Sequence, residues 1–373
     1  MDLRPDPLVE RLATAVHIRL ADAGRDDGTG ALAGLLHDME ASAFEASVDA
    51  GGYDLGLVCG LVVCRELGRS ALPDLYGGGA LAQDALTAHG ERRDLAAALA
   101  VGKESTLVAG LDRLAAPGRA AAKNAPSARP TPNGWELAGT ATVDERAPAD
   151  AGCVVAVPVE GDVLLILLPA DTWRYRATPG ADSVLSLDLD GLAVDGQDVI
   201  GRLGDGTPPT DPAGVLARAR VRQAAYLLGL GEGAHALAVR HAATRSQFGR
   251  PILDNQAVAF PLAQAEIGLA AVDMALRQAT WAADAGKPFA REAVSVAAQA
   301  AEAALLTVRV ALQTHGASGM RLDSPVHAFH LAIRRSAGRM GPPGALWREA
   351  GARRLAARAA QKTTASPEAV EWA

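Results

Sequence analysis

The sequence predicts a mainly α-helical protein with a small β domain in its middle and an antiparallel helical bundle at its C-terminal end. Three observations carry this. Apolar residues recur at three- and four-residue spacing through residues 212–360, as in Leu262, Ala265, Leu269, Val272, Leu276 and Ala279, which is the stripe of a bundle helix. Residues 135–203 instead carry short apolar runs between turn residues, the mark of strands. Hydrophobic residues make up 49% of the chain but aromatic residues only 4%, so the core is built from Ala, Leu and Val, which suits close-packed helices.

The elements follow in order. Residues 8–110 read as mostly helix, with Val9, Leu12, Ala13 and Val16 on one face, a loop at Gly24–Gly30, and helices over Leu32–Ala46 and Leu55–Leu67 broken by Gly51-Gly52. The run from Leu72-Pro73 to Gly77-Gly78-Gly79 reads as a loop before a short helix at Ala80–Ala88. Prolines and glycines from Pro117 to Gly134 mark a boundary. Cys153–Val157 and Val163–Leu168 are apolar runs, Val184–Leu189 alternates at period two, and Gly201 to Pro209 closes the segment. Leu227, Leu230, Ala234, Leu237 and His241 then mark a first bundle helix, and Ala293, Val296, Ala300, Thr307 and Ala311 a third. The expected division is a helical domain over 1–125, a β domain over 126–208, the bundle over 209–361 and a frayed tail over 362–373.

Composition excludes several classes. The chain has 373 residues, and 36 basic against 43 acidic residues leave a net charge of −7, which argues against a general nucleic-acid binder. Cys59, Cys64 and Cys153 have no metal-ligand spacing and are too few for a disulfide framework, so no metal is expected and a reduced, cytoplasmic setting is the simplest reading. The N-terminus is polar, and no run of about 18 uninterrupted apolar residues suggests a membrane span.

Two stretches carry chemistry. Arg245-Ser246-Gln247-Phe248-Gly249-Arg250-Pro251-Ile252, followed by Gln256, reads first as a helix end, with Gly249 as a left-handed cap and Pro251 preventing continuation. Helix ends often carry Arg to complement the macrodipole, but an Arg beside a Gln and a Phe also suits a phosphate and a flat apolar group. Gln313-Thr314-His315-Gly316-Ala317-Ser318-Gly319 reads as a helix-to-loop turn or as a place where backbone approaches a ligand closely.

Taken together in this order, the two stretches resemble the acyl-CoA dehydrogenase family. There an Arg-x-x-Phe-Gly-x-Pro-Ile…Gln segment ends the first bundle helix and a Gln-x-x-Gly-Gly-x-Gly segment follows the third, both reaching the ADP part of an FAD held by the neighbouring subunit. The resemblance assigns cofactor contact to Arg245, Gln247, Phe248, Gln313, Gly316 and, with Ala in place of Gly, Ala317. Gly51-Gly52-Tyr53 with Glu66-Leu67-Gly68-Arg69, and Asn133 to Thr140, resemble the family's N-terminal and β-domain patterns. His327, His330, Leu331, Arg334 and Arg335 resemble an actinobacterial subgroup, some of whose members work as hetero-oligomers on steroid side chains or bulky acyl groups.

The chain departs from that family where the chemistry is done. Removing a proton alpha to a thioester carbonyl needs a carboxylate base, and a flavin takes the hydride from the beta carbon. The family places its Glu either in the loop before the last helix, here Gly341-Pro342-Pro343-Gly344, or one residue before an Arg early in the first bundle helix, here Ala219 before Arg220. Neither position holds an acid. Glu232, Glu266 and Asp323 are acids in the same part of the chain, and none is assigned as the base. The family's Thr-Glu-Pro and Gly-Ser run is missing from Gly102–Pro132. The resemblance thus implies FAD-dependent α,β-dehydrogenation of an acyl-CoA, with this chain as a homo- or hetero-oligomeric subunit completing the FAD site of an active relative. The alternatives are a stand-alone flavoenzyme with another base and a non-catalytic helical scaffold.

Overall fold

A computed structural model describes residues 6–21, 28–89, 93–100, 106–111, 124–143, 152–160, 162–176, 185–204, 211 and 214–364. The expected loop at 24–27, the breaks at 117–123 and 205–210 and the tail beyond 364 lie outside them. The fold is mainly helical, with small sheets between two helical regions. The N-terminal helices are α1 (Pro7–Ala21), α2 (Gly28–Asp38), α3 (Leu57–Arg69), α4 (Gly77–His89) and α5 (Arg93–Ala100). Ten strands follow, β1 (Thr106–Ala109), β2 (Ser127–Thr131), β3 (Gly134–Ala138), β4 (Thr140–Val143), β5 (Gly152–Val159), β6 (Asp162–Leu168), β7 (Arg174–Arg176), β8 (Leu185–Asp188), β9 (Leu192–Asp195) and β10 (Val199–Gly204). The C-terminal helices are α6 (Val215–Thr244), α7 (Gln256–Asp284), α8 (Ala290–His315), α9 (Pro325–Ser336) and α10 (Pro343–Thr364).

Three local readings change. The glycine run 77–79 is the first turn of α4 and not loop, because the Asp74 carboxylate accepts the Gly77 N–H at 2.9 Å and caps the helix. The helix expected over Leu32–Ala46 stops at Asp38 and gives way to a 3-10 turn at Ala41–Ala43. The first strand, Thr106–Ala109, falls inside the stretch read as mostly helix; it is set by parallel pairing with β5, some 45 residues on, which no local pattern announces.

The sheet β1-β5-β6-β10 explains the two continuous apolar runs. Val154 and Ala156 of β5, with Val163, Leu165 and Leu167 of β6, face the cluster that includes α4 and the start of α6. Cys153, Val155 and Val157, with Leu164, Ile166 and Leu168, face the remaining strands. A strand buried on both faces has no reason to alternate.

The bundle stripes read from the sequence are buried. Leu262, Ala265, Leu269, Val272, Leu276 and Ala279 make the inner face of α7, and Ala293, Val296, Ala300, Thr307 and Ala311 that of α8. Helices Gln256–Asp284 and Ala290–Met320 are nevertheless long and apolar enough to cross a membrane by length and composition. In this fold both lie in the bundle, α8 as a core helix and α7 with much of one side outward.

The crossing of α3 and α6 fixes the N-terminal helices on the bundle. A Cβ on Gly229 would lie 1.9 Å from the Arg65 carbonyl oxygen, and one on Gly68 2.2 Å from that of Tyr226. The two backbones touch, so Gly68 of the Glu-Leu-Gly-Arg pattern is a packing residue here. The approach brings Arg65 and Arg69 of α3 onto Glu232 of α6, with Arg65 also 2.8 Å from Asp273 of α7. Gly229→Ala forces backbone against backbone, and we expect it to lower the unfolding free energy by about 1–3 kcal/mol or more. Urea titration of the variant checks this, and an unchanged midpoint would contradict the contact.

Candidate functional site

Both ends of helix α6 carry residues that the sequence singled out. Its C-terminal end closes on Arg245, whose N–H bonds the His241 carbonyl at 2.9 Å. The chain then turns back in a two-residue hairpin, Ser246 and Gln247 pairing with Pro251 and Arg250. Phe248 and Gly249 form its tip, both with positive φ, +53° and +79°. A left-handed conformation is ordinary for Gly but costs a Phe about 1–2 kcal/mol. The pairing of the hairpin requires that conformation, and the Phe248 ring itself is fully exposed, at 101%. Arg245 and Gln247 are exposed as well.

The second stretch meets the first. His241 of α6 stacks on His315 of α8, with ring centroids 4.3 Å apart at 22°. His315 is oriented by its Nδ1–H, which donates to the Ala311 carbonyl at 2.8 Å. The stack joins the helix end that carries Arg245 to the one that carries Gln313 and Gly316. Gly316 stops α8 with φ +59° and has open space where a Cβ would stand. Gln313, Gly316 and Ala317 are exposed. The structure therefore brings all six sequence-predicted cofactor residues to one end of the bundle. A guanidinium, two amides, an uncovered ring and a bare backbone turn suit a pyrophosphate and a flat base, so the residues present fit the ADP part of FAD.

The N-terminal end of α6 is the opposite case. Ala219 is buried in the apolar cluster with Leu81, Ala85, Leu216 and Met340. The Asp211 carboxylate caps the helix by accepting the Ala217 N–H at 3.0 Å; burial pushes its pKa up, against the helix N–H groups and Arg220. Arg220 is 2% exposed and held in a bidentate pair by Glu349 of α10, both contacts at 2.7 Å. Arg353 also bonds Glu349, at 2.9 Å. Two residues to either side of Arg220, Arg218 and Arg222 share Glu45 and Asp84 at 2.6–2.9 Å. Burial acts to lower the Arg222 pKa, but Asp84 and Glu45 outweigh it and hold the guanidinium charged. Tyr76 donates to Glu45 at 2.7 Å, and burial followed by that carboxylate pushes its phenol well up.

The acids singled out from the sequence are engaged elsewhere. Glu232 is bound by Arg65 and Arg69, Glu266 pairs with His235 at 3.1 Å, and Asp323 pairs with Arg321 at 2.7 Å on the surface. Sequence reasoning missed Glu349, Glu45 and Asp84. The signal for them was present, since three arginines at alternate positions near a helix N-terminus oppose the macrodipole and need acids. The partners' positions, more than 120 residues away, could not be read. The cysteines are free thiols, and burial pushes all three pKa values up, so none is poised as a thiolate. Among the described residues no cluster of metal-ligating side chains occurs. A cavity of about 490 Å³ opens between α1, α3 and α7, beside the Arg65 and Arg69 ion pairs.

Residues 212–362 match the profile of the acyl-CoA dehydrogenase C-terminal domain. Acyl-CoA dehydrogenase FadE27 of Mycobacterium tuberculosis is 31% identical over 218 residues, 55% of this chain and 57% of that protein. The chain thus spans about half the length of the curated relatives it matches, 57% of FadE27 and 42% of the 3-(aryl)acrylate reductase of Clostridium sporogenes. Over the whole fold, the Tcur3481-Tcur3483 steroid ACAD superposes with a TM-score of 0.76 at 26% identity, covering 95% of this chain and 99% of that one. The ChsE4-ChsE5 complex from Mycobacterium tuberculosis superposes with a TM-score of 0.73 at 23% identity, covering 98% and 100%.

Two expected outcomes follow from this geometry. Glu349→Ala leaves Arg220 buried and unpaired, which costs about 3–5 kcal/mol of stability; a thermal melt within a degree of the parent would refute the assignment. His241 is held below its ordinary pKa of 6.5, first by burial and then by the His315 and Arg245 charges. The unfolded chain therefore takes up this proton more readily. Stability is complete above about pH 6.5 and falls as the pH drops below it. His241→Gln should flatten the decline in denaturation midpoint between about pH 6.5 and pH 5, and an identical decline in both proteins would show that His241 is not its source.

Proposed function

The chain belongs to the acyl-CoA dehydrogenase family, and from that membership we propose that it serves FAD-dependent α,β-dehydrogenation of an acyl-CoA as a subunit that completes the FAD site of an active partner. The carrying observation is the contrast between the two ends of α6. The segment with Arg245 and Phe248 is fully formed, strained and uncovered, as a surface meant for another molecule would be. At the other end Ala219 stands where an acid would be needed, inside a packed apolar cluster, and Arg220 is neutralised by Glu349.

In this reading Arg245 pairs with a phosphate of a cofactor seated mainly in the partner, and Phe248 covers its flat apolar part. Gln247 and Gln313 donate or accept at its polar edge. Gly316 and Ala317 let the backbone come close. The FAD, when bound, accepts the hydride leaving the beta carbon, and the partner's own base removes the alpha proton. The two compared complexes are described as ChsE4-ChsE5 and as a Tcur3481-Tcur3483 steroid ACAD, each named for two components, which supports a heteromeric assembly and a bulky acyl group for this chain too.

The visible spectrum tests this. We expect the purified chain alone to show little or no flavin absorbance, and the complex with a co-expressed acyl-CoA dehydrogenase from the same genome to hold less than one FAD per chain. Arg245→Ala removes a charge-assisted contact worth about 1.5–3 kcal/mol, so FAD affinity of the complex should fall roughly ten- to a hundredfold. A yellow isolated chain bleached by an acyl-CoA would overturn the subunit reading.

A further inference from the structure

The cations at the Arg245 end of the bundle differ from those elsewhere in the chain. Arg65, Arg69, Arg218, Arg220 and Arg222 all meet carboxylates. Arg245 meets none among the described residues. His241 precedes it by four residues in the last turn of α6, and His315 is the last residue of α8. The two imidazoles are half-buried and stacked at 4.3 Å. His315 spends its Nδ1–H on the Ala311 carbonyl, which leaves Nε2 as the nitrogen that gains or loses a proton. Neither ring nitrogen of His241 has a hydrogen-bond partner among the described residues.

Two helix C-termini converge here, and both dipoles favour positive charge. Burial and the charges of His315 and Arg245 act the other way and hold the His241 pKa below its ordinary value. No carboxylate among the described residues relieves that repulsion. Of the other charged groups on the elements around this end of α6, Arg250 bonds Asn255, Glu266 pairs with His235 and Arg321 pairs with Asp323. Arg240 of α6, Asp254 of the turn before α7, and Arg334 and Arg335 of α9 do not act on the ring. The place is short of negative charge. A dianion set against Arg245 removes the repulsion, and the stack then keeps a proton that it otherwise releases. Imidazoles this close take one proton before a second. One imidazolium and one guanidinium match the two charges of a diphosphate diester, which stays fully ionised over the range in which histidine titrates.

We propose that the His241–His315 stack belongs to the diphosphate site and that FAD binds there with uptake of one proton from solvent onto an imidazole nitrogen. The proposal rests on the flavin reading for its ligand, while proton uptake tests it apart from flavin occupancy. The bound state holds one more proton than the free state, so affinity rises as the pH falls, by about tenfold between about pH 8 and about pH 6. The flavin-stripped complex with the co-expressed partner is titrated with FAD by calorimetry at about pH 7, in PIPES and in Tris, whose heats of ionisation differ. The difference in heat should report uptake of up to one proton per FAD. His241→Gln should still bind FAD, with no uptake and a flat pH profile. His241→Lys is charged throughout the series and should bind at about pH 8 as tightly as the parent does at about pH 6. FAD binding without uptake, uptake that survives His241→Gln, or a lysine variant that binds no better than the glutamine one would each overturn the proposal and leave the flavin reading standing. A complex that takes up no FAD at all overturns both.

Discussion

Three arginines near the start of α6 set the terms for much of this molecule. Arg218, Arg220 and Arg222 sit where a helix macrodipole disfavours cations, and two of them are almost wholly buried. Guanidiniums in that position are tolerable only with carboxylates in contact. Glu45 comes from the turn after α2, Asp84 from α4 and Glu349 from α10, so meeting this one demand ties three distant parts of the chain to one helix. Arg339 makes a further tie, bonding Asp74, the cap of α4, and Gln223 of α6.

The same network bears on chemistry. A carboxylate base must be free of permanent cations and open to a substrate carbon. Around Arg220 the acids are locked to guanidiniums and the space beside Ala219 is filled with Leu, Ala and Met. The charges at this end serve cohesion. At the far end of α6 the economy reverses: the His241–His315 stack holds two turns together, and those turns present a strained Phe and an Arg to solvent. One helix thus has a closed, charge-paired end and an exposed end.

The bundle supports that division by being rigid where it is packed and apolar where it is not. The α3–α6 crossing, backbone to backbone at Gly68 and Gly229, leaves no slack at the centre. The outer side of α7 exposes Phe260, Ile267, Met274 and Trp281, and the Phe248 ring is uncovered at the end of α6.

The sequence by itself determined the fold class and the faces of the bundle helices, because the 3.6-residue period records burial directly and the stripes of α7 and α8 came out residue for residue. It also marked the Arg245 and Gln313 segments as helix ends, since local backbone demands at Gly249, Pro251 and Gly316 leave a signature in neighbouring residues, while their cofactor role came from the family resemblance alone. Tertiary structure alone decided which acids meet the arginines of α6, where β1 pairs, and that the 77–79 glycines start a helix. Ion pairs and parallel strands join residues far apart in the chain, and their energy depends on burial and geometry that carry no period. For the same reason the sequence could show that Ala219 is not an acid, but only the packing around it showed an apolar cluster in which a carboxylate would have no partner.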